Sequence, residues 1–222
     1  MRTLDEILEI SIGRKGSVEA VFDGFELAKP LDALAQITDD RWLAAMSRAI
    51  FNAGFNWKVV EAMWPGFEVA FKRFDPGACS MMDDVWFDAL ISDKSIVRHG
   101  PKIRAVQENA VFVREESEKH GGFGRFAGDF AAKDFAGLLA HLKAEGTRLG
   151  GATGQYFLRF MGVDGFILSR DVTARLIAEG VIDKPPSSKG AMKAVQVAFA
   201  GWQRESGRSL KEISRILATS TG

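Results

Sequence analysis

Apolar residues recur along almost the whole of this chain at mixed three- and four-residue spacing, and no period of two competes with them. Side chains spaced in this way line one face of a helix, so the chain is expected to be all-α. Residues of about 3 to 10 and 17 to 27 read as short helices, and Pro30 interrupts the chain beyond them. Thr38, Asp39 and Asp40 offer N-caps for a helix through Trp42, Leu43, Met46 and Ile50, which Gly54 ends. A helix from Trp57 is expected to stop at Pro65, Gly66 to Phe74 to repeat the pattern, and Asp75-Pro76-Gly77 to form a turn. Met82 to Ile91, Pro101 to His120 and Asp134 to Gly146 continue it, with HGGFGRFAGDF read as a flexible loop. Gln155 to Met161, Arg170 to Glu179 and two final helices, about 189 to 204 and 209 to 218, complete the chain, with Lys184 to Ser188 as a linker.

At 222 residues and 46% hydrophobic, the chain can bury a core of one large domain or of two packed lobes, which excludes a disordered or fibrous protein. No apolar run approaches the roughly 20 residues of a bilayer span, and MRTLDEILEI carries acids where a signal peptide is basic and apolar. A membrane is therefore not an expected partner, and the chain reads as cytoplasmic. A single cysteine, Cys79, excludes an internal disulfide, and His99, His120 and His141 show no metal-ligand spacing, so neither zinc nor another cofactor is expected. The 29 basic residues balance 29 acidic ones, so any affinity for DNA has to come from local clusters. No feature points to a protein partner.

The blocks IFNAGFNWKVVEAMWPGFEVAFKRFDP and SIVRHGPKIRAVQENA, with the later LGGATGQYFLRFM, resemble the 3-methyladenine DNA glycosylase I family of the helix-hairpin-helix superfamily. The resemblance covers about residues 45 to 162. It rests on Ala53, Gly54, Trp57, the Phe74-Asp75-Pro76 turn, Ile96, Arg98, His99, Lys102, Ile103 and Asn109, then Gly151, Thr153 and Tyr156.

The resemblance implies a bilobal helical glycosylase-like fold, with a hairpin lobe of about 45 to 180 and a second lobe from about 1 to 40 and 185 to 222. It implies an enzyme acting on double-stranded DNA that contains alkylated bases, 3-methyladenine first. The N-glycosidic bond is out of reach inside the base stack, so such an enzyme flips the nucleotide out before cleaving it. Three departures stand out. The family's zinc ligands are missing; Ala49 stands where the family has a base-reading glutamate; and Gln155 and Tyr156 occupy the stretch where strand-cutting members of the superfamily carry a lysine. Base removal without lyase activity is the expectation.

Trp57 is a candidate to stack on a flipped, positively charged base, or else a core aromatic of its helix. Asn52, Phe55, Asn56 and Tyr156 are candidates to line the base pocket, while Trp42, Trp64, Trp86 and Trp202 read as helix packing. Asp171 in FILSRDVTARL is the candidate catalytic carboxylate, placed as in the wider superfamily to stabilise an oxocarbenium-like sugar or to orient water; it also suits the first turn of a helix. Gly150, Gly151, Thr153 and Gly154 are candidates to offer backbone N–H groups to a phosphate, or merely to connect two helices. Arg98, His99 and Lys102 form a basic group for the DNA backbone or a solvated helix start, and Arg148, Arg159, Arg170 and Arg175 either extend that surface or pair with acids. Two other functions compete: a helix-hairpin-helix protein that binds damaged DNA without excising a base, and a helical protein-interaction domain.

Overall fold

A computed structural model describes residues 1–221, and among the described residues it contains helices and loops without a strand. The helices are α1 (Leu4–Lys15), α2 (Val18–Val21), α3 (Leu31–Ala35), α4 (Asp39–Asn52), α5 (Trp57–Ala70), α6 (Pro76–Ser80) and α7 (Asp84–Ser92). They continue as α8 (Gly100–His120), α9 (Phe123–Glu145), α10 (Ala152–Met161), α11 (Arg170–Ala178), α12 (Lys189–Ser206) and α13 (Leu210–Thr219). Local chemistry sets many of the starts. Thr3 with Glu6, and Ser209 with Glu212, form capping boxes in which hydroxyl and carboxylate satisfy opposite N–H groups at the helix entrance.

α4 packs on α8 and α10, α8 on α6, α7 and α9, and α3 on α9; a second group forms where α1 meets α12 and α13 and where α11 meets α13. The contact of α9 with α12 joins the groups, and Gln196 Oε1 accepts there from the Ala136 N–H at 3.0 Å. Trp42 anchors the first group, its ring 5.5 Å from Phe123 and 5.8 Å from Phe157. Trp202, fully buried, anchors the second and donates its indole N–H to the Arg2 carbonyl at 3.0 Å. Among the described residues no helix is long and apolar enough to cross a membrane.

Several expected boundaries shift. Only Val18–Val21 of the stretch 17 to 27 is helical; Gly24 takes a left-handed φ of 64°, and the non-helical continuation is held by the Lys29 N–H on the Gly162 carbonyl at 2.8 Å. α5 does not stop at Pro65 but runs through it. The ring removes one N–H from the ladder, and because Pro65 and Glu61 are both exposed, the freed Glu61 carbonyl can turn to water. Asp75-Pro76-Gly77 starts a short helix, with Asp75 Oδ1 accepting from the Ala78 N–H at 2.7 Å.

The largest correction concerns HGGFGRFAGDF: His120 ends α8, and after Gly121 and Gly122 the stretch from Phe123 is the first part of α9 and not a loop. Its glycines serve close packing: a Cβ on Gly124 would run into the carbonyl of Leu34 in α3, and one on Gly128 would press on Leu31 and Leu34. Asp134 breaks the helical geometry at φ −157° and caps the second half, its Oδ1 accepting from the Gly137 N–H at 2.9 Å.

Candidate active site

The connection from α9 to α10 folds as a tight hairpin. Arg148 and Gly151 both adopt left-handed backbone, at φ 62° and 61°, a conformation that glycine takes freely and arginine does not. Gly154 is buried one turn into α10, where any Cβ would meet the Leu149 carbonyl. As N-cap, Gly151 brings no side chain to the first N–H groups of α10, so they stand open to an anion. Beneath the hairpin, Asn109 of α8 binds the backbone of Thr147 through both ends of its amide.

Across from the hairpin lies the C-terminal end of α4. Its carbonyls are capped by the Lys102 ammonium, which donates to Phe51 O at 3.1 Å and to Ala53 O at 2.6 Å. Lys102 is 4% exposed, and its Nζ stands 4.4 Å from the centre of the Phe55 ring. Burial, with the nearby charge of Arg148 acting in the same sense, holds the ammonium below the ordinary lysine range. Ile50, Ala53, Lys102, Arg148, Gly150 and Thr153 line an open cavity of about 370 Å³ between these two parts. No carboxylate lines it.

Around this cavity the predicted residues fall into distinct settings. Phe55 and Trp57 are 43% and 61% exposed, so Trp57 does not pack in the core; Trp42, Trp64 and Trp202 do, and Trp86 is partly buried. Asn56 caps α5, its side-chain oxygen accepting from the Lys58 N–H at 3.0 Å, while Asn52 Oδ1 is buried without a partner. His99 caps α8: its Nδ1 accepts from the Lys102 N–H at 3.3 Å, and its ring meets Phe55 edge-on at 6.1 Å. Arg98 is exposed. Arg98, His99 and Lys102 are therefore not one surface group, since the lysine turns inward to close α4. Tyr156, 43% exposed, stacks on Phe160 at 6.1 Å on the outer face of α10 and does not line the cavity.

Asp171 is the second residue of α11, whose cap is Ser169, Oγ accepting from the Val172 N–H at 3.2 Å. Capping is thus done by the serine, and among the described residues nothing hydrogen-bonds the Asp171 carboxylate, which is partly exposed. Asp171 is outside the cavity lining but is tied to α10: buried Gln155 accepts from the Leu168 N–H at 2.6 Å, three residues before Asp171. Arg175 is buried in a pair with Glu179 at 3.3 Å and is no surface cation. Sequence reasoning missed the inward turn of Lys102 and the part of Arg148 in the cavity; only the place of Arg148 two residues before the first hairpin glycine signals the latter. Among the described residues no three His, Cys, Asp or Glu side chains converge as a metal would need.

A glycine hairpin between α9 and α10, fixed from below and facing a cleft at the end of α4, sits in an all-helical fold similar to that of 3-methyladenine DNA glycosylase I. Residues 33–156 match the methyladenine glycosylase family, and the chain belongs to that family. Solved structures agree on the fold. A tyrosine-to-phenylalanine variant of 3-methyladenine DNA glycosylase I in complex with 3-methyladenine is 20% identical, with a TM-score of 0.54 over 69% of this chain and 90% of that one. A glutamate-to-glutamine variant of the enzyme from Staphylococcus aureus is 22% identical, with a TM-score of 0.53 over 66% of this chain and 88% of that one. No protein of curated function matches the sequence.

Proposed function

We propose that this protein is a monofunctional DNA glycosylase that grips double-stranded DNA through its hairpin, flips out a damaged purine and hydrolyses its N-glycosidic bond. The observation that carries the reading is the cavity in which the α4 end, Lys102 and the hairpin residues Arg148, Gly150 and Thr153 converge. In this reading the N–H groups at the start of α10, with Gly151, Thr153 and Gly154, hold a phosphate without regard to sequence, and exposed Arg98 adds charge to the backbone contact. Exposed Trp57 and Phe55 offer ring faces to the flipped base.

Asp171 supplies the carboxylate. Water adds its oxygen to the sugar C1′ as the glycosidic bond breaks, and the base takes the bond's electron pair, so a cationic alkylated purine departs neutral. The carboxylate offsets the positive charge that develops on the sugar and accepts a proton from the water. Gln155 holds the loop leading to Asp171 where a lyase has its lysine, so the reaction ends at an abasic site. Alkylated purines, 3-methyladenine among them, are the class that family membership puts first for testing. A second reading, damage binding without excision, is favoured by the position of Asp171 outside the cavity lining. Release of free base from damaged duplex by the parent and by Asp171→Asn separates the two.

A further inference from the structure

Gly154, Gln155, Phe157, Leu158 and Met161 of α10 are buried, and the outer face of the same helix carries two aromatic rings in solvent, half-exposed Tyr156 and Phe160 at 75% exposed. The two lie one turn apart and stack on each other, their centroids 6.1 Å apart and their planes inclined by 28°. Side chains on a helix lean back over the preceding turn, so the Tyr156 ring reaches toward exposed Gly151 and Ala152, where the first N–H groups of α10 stand open. The rise from Gly151 to Tyr156 is about 7.5 Å along the axis, within the reach of one nucleotide. Charge on this stretch has one sign. From Gly146 to Val163 the chain carries Arg148 and Arg159 and no acid, and Asp164 is turned away to accept the Leu210 and Lys211 N–H groups of α13.

A helix end open to a phosphate, basic side chains without acids, and exposed ring faces alongside are together what holds a single strand of nucleic acid, its phosphates by charge and its bases by stacking. Inside a duplex the bases stack on one another and offer the protein no face. Resting on the hairpin's hold of a phosphate in the reading above, we infer that Tyr156 and Phe160 form a platform for an unpaired base of the strand that runs on from that phosphate, and that the protein favours DNA whose pairing ends beside the gripped site. The platform continues the DNA-facing surface along α10, on a different element from Phe55 and Trp57. It reads DNA structure and not sequence, because every base has a ring face.

The test uses the full chain and undamaged oligonucleotides of one sequence: a blunt duplex, and the same duplex carrying a short single-stranded tail at its 3′ or at its 5′ end. One of the tailed duplexes is expected to bind about tenfold more tightly than the blunt one at equal salt, the return from stacking one base, and the arm that does so gives the direction of the strand. Tyr156→Ala and Phe160→Ala are each expected to bring that ratio to about two or less; both side chains are on the surface, so the variants keep the fold, and each is read against its own blunt duplex. Iodouracil placed in the tail is expected to cross-link to Tyr156 or Phe160 on irradiation, located by mass spectrometry. Equal binding of tailed and blunt duplexes overturns the inference, as does a tail preference that both variants keep, which assigns it to phosphates alone, or a cross-link at Trp57. Base release from a fully paired damaged duplex is measured beside these. Release without a tail preference removes the platform and leaves the glycosylase reading standing, whereas a tail preference lost in both variants, with no release from any damaged duplex, supports the platform and overturns the glycosylase reading.

Discussion

Asn109 grips the backbone of Thr147 from both sides: its Oδ1 accepts from the Thr147 N–H at 2.9 Å, and its Nδ2 donates to the Thr147 carbonyl at 3.0 Å. The asparagine is fully buried on α8, so the turn that begins the hairpin is set from the interior and not by the hairpin's own glycines. A side chain that never meets solvent thereby positions the N–H groups assigned to DNA.

Replacing Asn109 by alanine leaves the backbone donor and acceptor of Thr147 unpaired at a partly buried position. The expected loss is about 2 kcal/mol of stability in urea unfolding, with the midpoint lowered and the slope kept. Affinity for undamaged duplex is expected to fall as well, although Asn109 lies beneath the DNA-facing surface; an unchanged affinity would separate the clamp from DNA binding.

Gly124→Ala tests why the glycine-rich stretch is helical. The added methyl meets the Leu34 carbonyl, so α3 has to move off α9, and a loss of about 1–3 kcal/mol is expected. Gly13→Ala in α1 is the control: it is exposed with nothing near its Cβ position, and a gain of up to about 1 kcal/mol is expected from helix propensity.

Burial, together with the charge of Asp75, pushes the Cys79 thiol up to about 12. An ordinary thiol ionises near about 8.5. Above that value the unfolded chain gives up the proton and the folded one keeps it. The residue thus favours the fold below about pH 8.5, and this contribution is lost as pH rises toward the folded value. Native protein is expected to resist alkylation at about pH 9 and to react fully once urea unfolds it. Rapid modification of the folded protein would show that the thiol is not held in this way.

The helical class and most helix starts are legible in the sequence because they are local: Thr3, Asp83, Ser169, Ser188 and Ser209 all cap in the structure, each through a bond spanning three residues. Pro65 and the Gly124–Gly128 pair mislead for one reason. Local propensity treats them as breakers, whereas solvent access to Glu61 in one case and the approach of α3 in the other decide the outcome. The hairpin and Trp57 are visible as motif. The inward course of Lys102 is not, because its acceptors, Phe51 and Ala53, lie 51 and 49 residues away and are defined only once α4 and α8 have packed.

Trp57→Ala separates packing from recognition. The ring is 61% exposed, so stability is expected to stay within about 0.5 kcal/mol of the parent. Base release is expected to fall about tenfold or more, the loss of one base-stacking face. A large drop in stability with undiminished release would return Trp57 to a structural role.

Base release by Asp171→Asn tests the central claim most directly. Purified parent and variant are incubated in enzyme excess with duplexes carrying each damaged base, and free base is separated by chromatography. The parent is expected to release base above the spontaneous rate, and the variant to be slowed about a hundredfold or more while binding the same duplex with unchanged salt dependence. Equal release by the two proteins, or none by the parent from any damaged duplex, would contradict the account.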